Sequence, residues 1–206
     1  MRRFLDYEGG FFTFLSKITD CICLSLLWLL TSLPIITIGA ATTALYYTVN
    51  KSFRNNRGYV WQGYWSSFIS NFKQATCAWL GIVLVFSVFA ADGYIFYHSD
   101  EYSGYAIAFL FLMGIVIVYS LYLFAHIARF TDKLKKTFKN SLMMLFMNIH
   151  WSILLFVIFL VTVIVVFSFP FVVFFIPTLF MLLVSLILER VFKKYMTPEE
   201  VSIFTK

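Results

Sequence analysis

The chain has 206 residues, of which 61% are hydrophobic, 21% aromatic and only 13% charged, with a mean hydropathy of +0.86. An ordinary soluble domain carries about 25% charged residues, so the composition excludes a water-soluble fold and points to one compact membrane domain. The formal net charge of +6 would suggest nucleic acid in a soluble protein. Here the Lys and Arg residues occupy short connections between apolar blocks, where they report orientation, and no nucleic-acid partner is expected.

At the amino terminus Arg2 and Arg3 are followed only much later by an apolar stretch, and no small-residue cleavage site follows a short apolar run, so the first segment is expected to stay in place. The first apolar block, Cys21 to Val49, would reach about 44 Å as one straight helix at 1.5 Å per residue. It contains Pro34, which removes a backbone donor and disfavours helix at the residue before it, so a break is expected there. Cys21, Cys23 and Cys77 make an odd count, and no His or further Cys stands at zinc spacing. They read as small buried hydrophobes, and no metal or cofactor is expected.

Four more blocks follow: Thr76 to Tyr97, Tyr105 to Ile127, Ile149 to Phe169 and Phe171 to Leu188. The last two belong to an uncharged run from Trp151 to Leu188. That run is too long for one crossing of roughly 20 residues and fits two, turning near Ser168, Phe169 and Pro170.

Charge placement orients the blocks. The connection from Asn50 to Gln74 holds Lys51, Arg54, Arg57 and Lys73 without an acid, and the one from Ala128 to Asn148 holds Arg129, Lys133, Lys135, Lys136 and Lys139. The tail adds Arg190, Lys193, Lys194 and Lys206, whereas the turn from His98 to Gly104 carries only Asp100 and Glu101. The positive-inside rule places the basic connections and the carboxy terminus in the cytoplasm and the acidic turn outside. Arg2, Arg3 and Lys17 put the amino terminus inside as well. That requires the first block to cross twice, Phe11 to Leu33 out and Ile35 to Phe53 back, with Lys17 and Asp20 spaced to neutralise each other. Six crossings are therefore expected, at about 11–33, 35–53, 76–97, 105–127, 149–169 and 171–188, with five as the alternative.

Two amphipathic helices are expected on the inner leaflet. In 59–73, Tyr59, Trp61, Tyr64, Trp65, Phe68, Ile69 and Phe72 recur at helical spacing. In 131–147, Leu134, Phe138, Leu142 and Leu145 form the stripe, Lys133, Lys136 and Lys139 face anionic headgroups, and Thr131 or Asp132 supplies the cap. With Phe11 to Lys17 as a reduced first copy, this suggests three units, each a surface helix leading into a hairpin; the general tendency of such connections to be basic and aromatic explains the likeness equally well.

The segment from Leu26 to Tyr47, reading LLWLLTSLPIITIGAATTALYY, and the element Asn71 to Thr76, reading NFKQAT, resemble the signatures of the YesL-like family of bacterial membrane proteins. The resemblance extends over nearly the whole chain in length and block order. It implies a family of unknown molecular function whose members are often associated with carbohydrate-uptake and polysaccharide-utilisation gene clusters, and it brings no catalytic residues to carry over.

Read physically, Pro34 and Gly39 let the backbone turn, and Gly39 with Thr43 and Ala40 with Ala44 form small-xxx-small pairs that allow close helix approach. The competing reading lets freed carbonyls near Pro34 and the hydroxyls of Thr37, Thr42 and Thr43 line a polar cavity. Asp92, with His98, Asp100 and Glu101, makes a second polar candidate at the external mouth, against the plainer reading of a solvated turn. His126, Arg129 and His150 fall at the cytoplasmic ends of two blocks, where a His pair would respond to pH and interfacial wet tips are the alternative. Tyr46, Tyr47, Tyr119 and Tyr122 offer rings for stacking on sugars, although aromatic density of this kind is mainly lipid belt and core.

No metalloprotease, nucleophile-elbow or phosphate-loop pattern is present. A non-enzymatic accessory or regulatory component bound to the bilayer and to solute-uptake membrane components is the leading expectation. A small-solute carrier or permease subunit is the alternative, and a lipid-interacting structural protein is a third.

Overall fold

The structure, a computed structural model, describes residues 2–54, 59–98 and 105–195, and every regular element in them is helical. The helices are α1 (Arg2–Ser32), α2 (Ile38–Thr48), α3 (Val60–Tyr97), α4 (Tyr105–Arg129), α5 (Leu134–Met147), α6 (Ile149–Ser168) and α7 (Ile176–Tyr195). A π-helical turn, Val49–Arg54, extends α2, and short 3-10 turns cover Ile35–Thr37 and Pro170–Phe174. This is an all-α membrane protein. Four helical stretches are long and apolar enough to cross a bilayer: Leu15–Ser32, Val60–Tyr97, Ile107–Arg129 and Ile149–Ser168. The other two expected segments differ: the helix over 38–48 is short and largely buried, and α7 carries Glu189, Arg190, Lys193 and Lys194 in its second half.

The chain does break at Pro34, and the carbonyls of Thr31, Pro34 and Ile35 find donors. Thr37 donates its amide to the Pro34 carbonyl at 2.9 Å and shares its hydroxyl between the carbonyls of Thr31 and Pro34 at 2.5 and 2.7 Å. The Trp79 indole donates to the Ile35 carbonyl at 2.7 Å. Non-helical backbone at membrane depth requires such satisfaction, and the exposed side chains of Leu33, Ile35 and Ile36 show that the tip is apolar.

The out-and-back hairpin expected at this break is not the geometry found. Near the break the two arms touch, with the Trp28 indole donating to the Thr42 hydroxyl at 3.3 Å. Continued antiparallel pairing would set Ser25 opposite Leu45. Instead the Ser25 hydroxyl meets Thr178 at 2.8 Å, while Tyr46 and Asn50 bind Glu189, about three helical turns further along α7. The two arms diverge, because α2 is held by α3 and α4 while the middle of α1 is held by the start of α7. Lys17 and Asp20 make no ion pair with each other among the described residues.

Helix α2 sits inside the bundle through its small residues. A Cβ on Gly39 would lie 2.5 Å from the Ala75 carbonyl oxygen and 2.6 Å from Trp79 Cβ, so only glycine permits this approach of α2 to α3. Ala40, Thr43 and Ala44 are fully buried beside it, as the small-residue pairs predict.

Helix α3 departs from expectation more sharply. The amphipathic segment 59–73 and the crossing 76–97 are one continuous 38-residue helix, about 57 Å long, so 59–73 does not lie flat on the bilayer at an angle to the crossing. Val60, Tyr64, Ser67, Ala75, Ala78 and Ile82 are all buried; the step of eight residues from Ser67 to Ala75 keeps them on one helical face across the assumed boundary, and neither Pro nor Gly interrupts Asn71 to Thr76. By contrast α5 is separate from α6, divided at Asn148. The two copies of the suggested repeat therefore have different shapes. Helix α5 packs against α4; the segment leading into it is tied to α3 where Gln74 donates to the Asp132 carbonyl at 2.9 Å, and the helix is tied to α6 where Ser152 donates to the Leu145 carbonyl at 2.9 Å. Neither Thr131 nor Asp132 caps it; Lys133 holds the cap position without a side-chain bond. Cys21 is buried as expected, but Cys77 is exposed, and all three cysteines are free.

Candidate functional site

The ionisable groups converge where α4 and α7 end. Arg129, in the last turn of α4, places Nη2 3.3 Å from Glu189 Oε2 on α7. Glu189 Oε1 also accepts from Asn50 Nδ2 at 2.8 Å and from the Tyr46 hydroxyl at 3.1 Å. Glu189 is 3% exposed. A buried carboxylate is costly unless paired and hydrogen-bonded, and here one cation and two neutral donors from the α2 unit supply both needs. The node thereby joins α2, α4 and α7.

One helical turn back on α4 lies His126, 1% exposed, its ring 4.5 Å from that of Phe130 and edge-on to Phe192. Its Nε2 is 3.9 Å from Asp132 Oδ2, too long for a hydrogen bond, and its Nδ1 is buried without a hydrogen-bond partner. Asp132 instead accepts from Lys136 Nζ at 2.8 Å. His126, Phe130, Asp132, Lys136, Asn140 and Tyr195 border a cavity of about 310 Å³. Tyr195 is anchored by Asn148, whose amide donates to its hydroxyl at 2.9 Å. The chemistry available is ion pairing and hydrogen bonding.

Sequence-based candidates are therefore partly assembled and partly dispersed. Arg129 and His126 belong to this region, but His150 is exposed beside Trp151 on α6, so the two histidines form no pair. Asp92 is half-buried on α3 with no ion pair among the described residues, and His98 folds back on the Tyr94 carbonyl at 3.0 Å. Asp100 and Glu101 lie outside the described residues. Thr37 closes the break and Thr43 returns its hydroxyl to the Gly39 carbonyl at 2.8 Å, so neither presents a free hydroxyl to a cavity. The tyrosines are equally committed: Tyr46 to Glu189, Tyr119 to the Phe138 carbonyl, Tyr122 to Ser152, and Tyr47 to Lys51.

Glu189, Asn50 and Tyr195 were not anticipated as site residues. Glu189 lies one residue past the last apolar block, and it is the only acid between Asp132 and Glu199, set among Arg190, Lys193 and Lys194. That isolation was the available signal. Among the described residues no group of three or more His, Cys, Asp or Glu is placed to hold a metal ion.

Neither the curated proteins nor the solved structures yield a match to this chain. Residues 21–93 match the model of the family described as "Protein of unknown function, DUF624", a stretch that runs from the middle of α1 to the last turns of α3 and contains both segments that carry the YesL-like resemblance.

Proposed function

We propose that this protein is a non-enzymatic accessory or regulatory component of a carbohydrate-uptake system in the plasma membrane, with its basic connections and carboxy terminus in the cytoplasm. The observation that carries the reading is how the polar groups are used. Thr37 at the helix break and Glu189, Asn50, Tyr46 and Arg129 in the α2–α4–α7 node spend their polar groups on the fold, while Lys133 at the start of α5 and Lys135, Lys136 and Lys139 along it stand exposed. An exposed cationic helix on a bundle tied by buried polar contacts suits attachment to a partner better than turnover of a substrate. The YesL-like resemblance supplies carbohydrate uptake as the setting. Affinity purification from native membranes should recover a transport component repeatedly; its consistent absence at native expression levels would remove the proposal.

A small-solute carrier is the second reading, and the cavity beside His126 favours it. It does not gain from the break at Pro34, where Thr43 is fully buried. Uptake of sugar into proteoliposomes containing only this protein would establish the carrier, and no uptake would eliminate it.

A further inference from the structure

We infer that α4, α5 and α6 form a seat for one anionic phospholipid, with an acyl chain in the groove beside Gly114 and the headgroup phosphate at Lys135 and Lys139. The groove, about 260 Å³, is almost wholly apolar. Its floor is Gly114, Val118, Leu145 and Ser152, and exposed Phe111, Phe146, Ile149 and Ile153 stand around it. A Cβ at position 114 would come within 2.9 Å of the Phe156 ring, so glycine lets α6 pack closely against α4 where the two helices border the groove. Such a trough along membrane-crossing helices faces hydrocarbon, and a flexible chain fills it without leaving a void.

What selects an anionic lipid is the stripe that leads into the groove. Lys135, Lys139, Leu142 and Phe146 recur at four, three and four residues, which places them on one face of α5, and all four are exposed. The face changes from cationic to apolar along its length, and Phe146 is shared with the groove. Lys135 and Lys139 form no salt bridge among the described residues, whereas Lys136, on another face, is bound to Asp132. Two ammonium groups without a salt bridge, about two and three helical turns from an apolar trough, match a phosphate joined to an acyl chain, and long lysine side chains reach the headgroup layer while their stems lie on apolar surface.

Native mass spectrometry of the full chain, released from detergent holding equimolar anionic and zwitterionic phospholipid with identical chains, provides the test. Anionic lipid should be retained preferentially, and K135Q/K139Q should reduce that preference on the order of tenfold while K73Q leaves it intact. I153W, which fills the groove, should lower retention of both lipids with the helical circular-dichroism signal unchanged. The water-soluble glycerophosphate headgroup alone should not compete. Equal retention of the two lipids, an equal loss in K73Q, retention indifferent to I153W in a folded protein, or competition by the soluble headgroup would each overturn the assignment.

Discussion

Gly39 and Gly81 lie on consecutive elements of one helix pair yet carry opposite consequences. A methyl at Gly39 meets the α3 backbone at 2.5 Å, and backbone cannot yield as a side-chain tip can; at Gly81 it meets only the Phe138 ring at 3.8 Å. Gly39→Ala should therefore destabilise by about 1–3 kcal/mol through overpacking, while Gly81→Ala should be neutral or stabilising by up to about 1 kcal/mol from helix propensity. Thermal unfolding in detergent should lower Tm for the first and not for the second. Glu189 presents the complementary case. Glu189→Ala deletes the acceptor shared by Arg129, Tyr46 and Asn50, and breaking a buried pair costs about 3–5 kcal/mol. Glu189→Gln keeps one acceptor oxygen and should lose less, so the two variants separate charge from shape in the same unfolding measurement.

Among the elements, α3 offers the most direct measurement. Spin labels replacing Trp61 and Val88, both exposed, should lie about 40 Å apart along one straight helix, against about 29 Å if the helix turned by a right angle near Gln74. Electron–electron distance measurement separates these values. The shared face from Val60 to Ile82 is legible as helical spacing, but the aromatic residues of the first half, with Lys73, read as a surface helix and concealed it. Periodicity reports which face is buried; it does not report whether an amphipathic stretch and a crossing share one axis. In α5 the stripe is met only in part: Leu134, Phe138 and Leu145 pack inward and the lysines face out, but Leu142 is exposed with Lys135 and Lys139, and Asn148 ends the helix before α6 begins.

For the whole molecule, the bundle is tied by polar contacts between helices distant in sequence: Ser25 with Thr178, Asn50 with Glu189, and Asn148 with Tyr195. The proposed orientation predicts that cysteines placed at Lys73 and Lys133, with the three native cysteines replaced, are labelled by a membrane-impermeant maleimide in inverted vesicles and not in intact cells. Labelling from outside would reverse the topology. The amino acids alone determined that the chain enters a bilayer, that it is helical, and where Pro34 interrupts it, because hydrophobic length and proline geometry are local properties. Whether the arms flanking Pro34 run back along each other, and which ionisable groups meet, was decided only by the fold. The first depends on what α3, α4 and α7 offer each arm, and the second on bringing Glu189 to Asn50 across 139 positions, a meeting that no local pattern encodes.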